Sequence, residues 1–452
     1  MRERLPLGVI SRDVGRGLVV DALMAVDERS FYVEGWLYDE EAPVVRLTAV
    51  SPEGERVDIH DRLFRYRRPD VEKFYDTPIS RRHTARLGYI CFFQLGRASR
   101  LRNGWILEME NADGAEAEIR APTALQDLAD VRKRVLEGLP PAFGSDELME
   151  LHVHPAIQRL QERAAQLVAV QEVIEYGAVP DDPEVSVVVP LYRRIDFLEH
   201  QLAQFAHDAE MEATELVYVL DSPELGQSLT EKAVQLHELY RIPFRLVLLE
   251  RNSGFAAANN SGASTCKGPL LLFMNSDILP DRPGWLRRMI DFYGSKPNVG
   301  ALGPKLLYED DSLQHAGMYF TLPTASALAG LWANWHYFKG LHRNLPAANV
   351  ARPVPAVTGA CLMVARDLFE GVGGFQNTYV QGDHEDSDLC LRLIDERLEN
   401  WYLPEVELYH LEARSYPSDI RERTVLYNRW VHTQLWGDRI REVMEQQMEN
   451  ER

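Results

Sequence analysis

The sequence predicts an α/β domain with a mostly parallel sheet flanked by helices, preceded by an all-β sandwich domain and a helical connector. Three observations carry this. From about residue 184, unbroken apolar runs of strand length alternate with helical patterns. "VSVVVP" precedes "IDFLEHQLAQFAHD", "ELVYVLD" precedes "LTEKAVQLHELY", "FRLVLLE" precedes "GFAAANNSGAST", and "PLLLFMNSD" precedes "GWLRRMIDFYG". Continuous rather than alternating Val/Leu runs mark strands buried on both faces, as in a parallel sheet covered by helices. Residues 1–125 instead hold short β-prone runs such as "LVVDALMAVD", "SFYVEGWLYD" and "GYICFFQL", separated by turn signals at Pro52-Glu53-Gly54 and Asp113-Gly114. Closely spaced short strands read as a sandwich. Between the two, residues 126–180 repeat apolar positions at helical spacing in "ALQDLADVRKRVLEGL" and "HPAIQRLQERAAQLVAVQEVIEYG", with "LPPAFGSD" as a break. The expected boundaries are 1–125, 126–180 and 181–452.

The 452 residues suit two or three domains. A net charge of −20 argues against nucleic acid, whose binding needs Lys and Arg to neutralise phosphates. A phosphorylated ligand would need a metal ion or a local basic group as counter-charge. The four cysteines (Cys91, Cys266, Cys361 and Cys390) are widely spaced and form no C-x-x-C pair. That spacing argues against a disulfide framework or zinc site and for a reducing compartment. The N-terminal "MRERLPLGVISRDVGRG" lacks a signal-peptide apolar segment, and no apolar run reaches membrane-span length. The expectation is a cytoplasmic protein, with association at the inner face of a membrane left open.

In open α/β sheets, ligands bind beyond the carboxyl ends of the strands. Four consecutive runs end in polar, turn-competent residues. These are Pro190, Tyr192 and Arg193; Asp221; Asn252, Gly254 and Asn259; and Asn275, Ser276 and Asp277. Any one is a turn or cap in most proteins, but four converging on one crevice point to a ligand site. Asp221 could accept hydrogen bonds from a base or ribose. The Gly/Ala/Asn stretch allows close backbone approach, and its helix start suits an anion. Asp277 is a hard oxygen ligand suited to Mg²⁺ or Mn²⁺.

At this point the residues resemble a known family. "VSVVVPLYRR", Leu220-Asp221, "RNSGFAAANNSGAS" and "FMNSD" are similar to the nucleotide-binding half of glycosyltransferase family 2. "VTGAC", the Gly-Gly-Phe of "EGVGGF", "HEDSDLCLRL" and the late "ELYHLEARS" resemble its second half, over about 184–435. "HAG" and "VTGAC" resemble bacterial rhamnosyltransferase-like members, and "EGWLYDEEAPVVRLTAVSPEG" resembles a β-domain attached to bacterial glycosyltransferases. The resemblance implies the GT-A fold and a metal-dependent inverting transfer from a UDP- or dTDP-sugar to a glycan, lipid-linked or cell-surface polysaccharide acceptor. It implies Asp386 as catalytic base with Glu385 beside it. Pro190, Tyr192, Asp221, Asn252, Gly254, Asn259, Asn275 and Ser276 would line the nucleotide-sugar pocket. Gly359, Ala360 and His315 would lie on the acceptor side, with Asp277 and His410 on the divalent cation.

Two departures stand out. Asn275 replaces the first Asp of the family's Asp-x-Asp, and "VLDSPEL" keeps one early Asp where many members have two. Several bland readings stand beside the functional ones. Acidic residues are favoured in the first turn of a helix by its dipole, by roughly 0.3–1 kcal/mol each. Asp388 is expected to cap its helix or contact Arg392. Trp36 reads as a core aromatic before a sugar platform, and His152 and His154 as packing histidines before a metal pair. "LAGLWANWHYFKGLHRNLP" reads either as a lid or as an aromatic packing cluster. Two other functions stay open: a nucleotidyltransferase, disfavoured because no glycine follows the first strand, and a non-catalytic glycan-binding or assembly protein. Self-association through the β-domain is a further open expectation.

Overall fold

The computed structural model describes residues 17–38, 43–74, 86–138, 146–324, 328–411 and 418–450. The segment read for a leader (1–16) and most of the predicted helix break (139–145) lie outside the described residues. The chain forms two compact units, residues 1–164 and 165–452.

The first unit contains two four-stranded antiparallel sheets. One orders Gly17–Ala25, Ser30–Tyr38, Gly88–Gln94 and Phe64–Tyr66; the other orders Arg56–Asp58, Val44–Val50, Ile106–Asn111 and Glu116–Arg120. Their inward residues, including Leu18, Phe31, Val33, Leu47, Phe93, Trp105 and Leu107, share one core, which makes a sandwich. Trp36 packs in a separate small cluster with Val19, Val71 and Leu87 and is 5% exposed, so it offers no stacking face. His152 is buried and accepts the Phe92 amide at 3.1 Å through Nδ1. Burial pushes its pKa down to about 4.

Helices Leu128–Glu137 and His154–Gln166 form where the apolar spacing predicts them. Asp127 caps the first by accepting the Ala129 and Asp130 amides, each at 3.0 Å. The helical reading overran at its end. Val170–Tyr176 is a strand, pairing antiparallel with Phe244–Leu249. Val170, Val173 and Ile174 fit either period, and their β-branches together with an available sheet edge decide for the strand.

The second unit is built on an 11-stranded sheet. Its first half is parallel, in the spatial order Leu270–Met274, Val185–Leu191, Glu215–Leu220, Phe244–Leu249. These runs are almost wholly buried, as unbroken apolar strands must be. The first strand lies between the second and the fourth, so the order reverses beside it. Pairing between Val185–Leu191 and Leu270–Met274 stops at Val188 and Phe273, short of Pro190. A crevice can therefore open at their carboxyl ends. Helix Phe255–Ala263 lies close on this sheet, because Gly262 has no side chain to meet Val188 and Val219. A Cβ there would sit 2.5 Å from a Val188 methyl.

Beyond this parallel core the sheet becomes mixed. Cys361–Ala365 runs antiparallel to Leu270–Met274, followed by Val299–Leu307 and then Glu399–His410, which is parallel to Val299–Leu307. Ile278–Pro280 folds back antiparallel onto the end of Glu399–His410. "LWANWHYF" is more regular than its sequence suggests, since Ala333–His336 pairs with Met318–Thr321 in a two-stranded sheet. Trp332 is buried, its amide donating to Thr433 Oγ1 at 2.9 Å and its carbonyl accepting from Arg429, while Trp335 is 54% exposed. The four cysteines are buried and free. No helix among the described residues is long and apolar enough to cross a membrane.

Candidate active site

Asp221 ends its strand fully engaged. Its Oδ1 accepts the Ser253 amide at 2.6 Å and its Oδ2 the Gly254 amide at 2.9 Å. Its carbonyl accepts from Asn252 Nδ2 at 3.1 Å. The residue therefore ties the loop after the third parallel strand to the end of the second. Gly254 makes this possible with φ of 87°, a region open to glycine without strain, and then starts helix Phe255–Ala263. Burial pushes the Asp221 carboxyl up to about 7, against the two amides that favour its charged form.

This sets a pH dependence. A raised folded pKa means that the folded state holds a proton that the unfolded chain releases near 4. Stability from this group is full at low pH and declines as pH rises toward 7. The wild type should lose stability relative to Asp221→Asn across that window, by up to about 1.4 kcal/mol per pH unit. Paired urea melts of the two proteins at pH 4.5 and 7.5 check this; a difference that does not move with pH refutes it.

Of the other predicted pocket residues, Pro190 is half-buried at the strand end, and Tyr192 lies under the Arg193 guanidinium, 4.9 Å from its ring centre. Arg193 has φ of 59° and its amide donates to Ser222. Asn259 does not sit at the loop; it is fully buried inside its helix, with Nδ2 on the Phe255 carbonyl at 2.9 Å.

The Asn275-Ser276-Asp277 turn is fixed through its backbone. The Asn275 amide donates to the Ala360 carbonyl at 2.8 Å, and the Asn275 and Ile278 carbonyls both accept from Gln201 Nε2. Asn275 and Ser276 side chains are half-buried. Antiparallel register places Ile278 opposite His410, which brings Asp277 Oδ1 to 3.2 Å from His410 Nε2. Gln314 Oε1 lies 2.7 Å from His410 Nδ1. One carboxylate and one imidazole fit a divalent cation that keeps its remaining positions for diphosphate oxygens and water. No group of three or more His, Cys, Asp or Glu side chains with metal-holding geometry occurs among the described residues.

Asp386 lies in the first turn of helix Glu385–Asp395, with Oδ2 accepting the Gly359 amide at 2.8 Å and Oδ1 the Ser387 amide at 2.7 Å. Gly359 eases this approach, since a Cβ there would lie 3.2 Å from the Asp386 Cβ, a contact a few tenths of an ångström too tight. Ala360 next to it holds Asn275, so the turn and the Asp386 carboxylate hang on one two-residue hinge point. Burial raises both acidic pKa values. Glu385 rises further: beside its burial, the neighbouring Asp386 charge pushes it up, and its Oε2 has no hydrogen-bond partner among the described residues. Of the two, Glu385 is pushed more strongly toward its neutral form.

Asp388, by contrast, is structural. It pairs with Arg392 at 2.7 Å and also accepts from Tyr379 and Trp436. His315 is unavailable to an acceptor molecule. It is fully buried, with Nδ1 2.9 Å from His336 Nδ1, and burial holds its pKa well below the usual imidazole value. An open cleft of about 580 Å³ lies elsewhere, against the C-terminal helix, lined by residues such as Trp332, Trp436 and Arg439. None of the strand-end residues lines it.

The segment before Glu385 is strained. Gln381, Gly382, Asp383 and His384 all have positive φ, from 64° to 108°. The three non-glycine residues among them cost on the order of 1–3 kcal/mol each and persist only where the surroundings over-determine them. Asn428 of the C-terminal helix does so here, donating to the Val380 and Gly382 carbonyls and accepting the Val380 amide at 2.8 Å. Asn260 plays the same part for the Gly-Gly-Phe turn, accepting from and donating to the Phe375 backbone. Gln201, Asn260 and Asn428 escaped the sequence reading. The available signal was an amide side chain at an apolar helical position, as in "LEHQLAQF" and "VLYNRWV".

Fold and site together define an α/β protein whose polar residues gather at the carboxyl ends of a parallel sheet, joined there to a carboxylate at a helix start. Residues 186–373 match the family model described as glycosyl transferase family 2, and residues 339–420 match one described as N-terminal domain of galactosyltransferase. The second unit thus contains a region similar to glycosyltransferase family 2. It is 29% identical over 248 residues to the O-antigen biosynthesis protein RfbC of Myxococcus xanthus, covering 52% of this chain and 18% of that protein. It is 31% identical over 136 residues to the N-acetylglucosaminyl-diphospho-decaprenol L-rhamnosyltransferase of Mycobacterium tuberculosis, covering 29% and 44%. An uncharacterised protein of Sinorhizobium fredii is 28% identical over 235 residues, covering 52% and 25%. The chain thus spans a quarter or less of the length of two of these relatives. Among solved structures, GalNAc-T7 with UDP, GalNAc and Mn²⁺ superposes at a TM-score of 0.43, with 16% identity over 57% of this chain and 49% of that one.

Proposed function

We propose that the chain transfers a sugar from a nucleoside diphosphate-sugar to a hydroxyl of a glycan or lipid-linked acceptor, inverting the anomeric centre in one displacement. The observation that carries this reading is the link from Asp386 through Gly359 and Ala360 to the Asn275–Asp277 turn, which ties a base candidate to a metal-ligand candidate. The acceptor hydroxyl gives its proton to Asp386 as its oxygen bonds the anomeric carbon. The bond from that carbon to the diphosphate oxygen breaks, and the electron pair leaves with the nucleoside diphosphate. The raised Asp386 pKa favours uptake of the proton, and a neutral Glu385 spares the site a second negative charge. Asp277 and His410 would hold a divalent cation, Mn²⁺ or Mg²⁺, which meets the charge growing on the diphosphate. The Asp221-braced 252–254 loop would seat the nucleotide.

The rhamnosyltransferase relative favours a deoxyhexose donor, which makes a dTDP-sugar a serious rival to UDP, and a lipid-linked acceptor, which suits work at a membrane surface. The test is a donor screen: UDP- and dTDP-sugars assayed by thermal shift and hydrolysis, with and without Mn²⁺. Metal-dependent stabilisation by one nucleotide class is the expected result. Stabilisation by none of them in the presence of metal refutes the reading.

A further inference from the structure

We propose that Gln314 is a positioning residue for the cation site: it fixes the ring orientation and tautomer of His410, so that Nε2 presents its lone pair toward Asp277. This rests on the reading of Asp277 and His410 as metal ligands. Gln314 belongs to the short strand Leu313–His315 and is 3% exposed. That strand and Glu399–His410 both pair with the end of Val299–Leu307, through Leu306 and Leu307. Gln314 and His410 therefore flank one strand end, and their side chains meet at 2.7 Å. With its carbonyl oxygen toward the ring, Gln314 accepts from His410 Nδ1, which then carries the proton; the amide turned over would instead select the Nε2–H tautomer. With the carbonyl oxygen inward the neutral ring has a bare Nε2, and that nitrogen lies 3.2 Å from a carboxylate oxygen of Asp277. Two lone-pair-bearing atoms face each other at a distance that only a cation between them, or a second proton on the ring, makes favourable.

A buried amide serves this purpose better than a surface group. A ligand ring with an anchored second nitrogen loses little freedom on binding metal, and such partners typically contribute 10–100-fold to affinity. The neighbouring His315, which the sequence suggested for the acceptor side, is fully buried with its Nδ1 on His336 and does not fill this role.

The test has two readouts, neither of them activity. Mn²⁺ alone is titrated into the full chain and free Mn²⁺ is followed by EPR, with Asp277→Ala defining the signal from this site. Gln314→Leu should weaken that signal's affinity 10–100-fold. Gln314→Glu, which can still accept from Nδ1, should bind at least as well as the wild type. Independently, ¹⁵N-histidine spectra of the metal-free wild type, at a pH where the ring is neutral, should show His410 as the Nδ1–H tautomer and lose that preference in Gln314→Leu. The proposal falls if Gln314→Leu binds Mn²⁺ like the wild type, if Gln314→Glu is as weak as Gln314→Leu, or if wild-type His410 is the Nε2–H tautomer. A wild type with no Asp277-dependent Mn²⁺ signal instead refutes the metal-site reading, and the tautomer spectra still decide the role of Gln314.

Discussion

Replacing Asp386 by Asn should lower sugar transfer by ~10²–10⁴-fold, the range that a positioned general base contributes. Nucleotide binding, read as a thermal shift, should remain. The two roles separate because the Asp386 oxygens have distinct partners. Oδ2 accepts the Gly359 amide and Oδ1 the Ser387 amide. Asn keeps one of these acceptors and the shape of the side chain, so the helix start and its neighbours should survive. It loses the charge that takes the proton. Unchanged biological activity of Asp386→Asn would favour the alternative of a glycan-binding or assembly protein on the same fold. Glu385→Gln should be far milder, since a buried carboxyl held neutral resembles an amide in charge.

The second large effect is asymmetric across the Asn275-Ser276-Asp277 turn. Asp277→Ala should cut metal-dependent transfer roughly 10²–10³-fold by removing a ligand to the charge that stabilises the leaving group. Asn275→Asp should cost little. The turn is held by the Asn275 amide and carbonyl, through Ala360 and Gln201, and not by its side chain. A carboxylate there adds a potential metal ligand without disturbing the backbone. Mn²⁺-dependence curves of both variants, measured with the donor found by screening, check the prediction. Equal losses from both would mean that the cation is held by Asn275 as much as by Asp277.

Much of this site could be read from the sequence because it follows from local chemistry. Glycine at 254, the polar ends of the apolar runs and the acids opening the helix at 385 are each dictated by neighbours within a few residues. Buried parallel strands leave an unmistakable run of Val and Leu. The same logic failed where two local periods fit equally well, at Val170–Tyr176, and where a polar residue's partner lies far along the chain. Asn428 bonds to Val380 across 48 residues, and Gln201 to Asn275 across 74. No spacing rule anticipates such pairs.

The sequence by itself determined the α/β and all-β character of the two regions, the strand ends that carry polar residues, and the identity of the acidic and imidazole groups available. Hydrophobic periodicity and turn chemistry act over short stretches and are written in order along the chain. Tertiary structure alone decided which of those groups meet. It set Asp277 against His410 through a three-residue antiparallel pairing, joined Asp386 to the Asn275 turn through Gly359 and Ala360, and turned Asp221 from a free acceptor into a brace. It also withdrew His315, expected on the acceptor side, into the core and set Gln314 beside His410. Register across a sheet shifts by whole residues, and a shift of one reverses every side chain, so a contact of this kind exists only once the strands have paired.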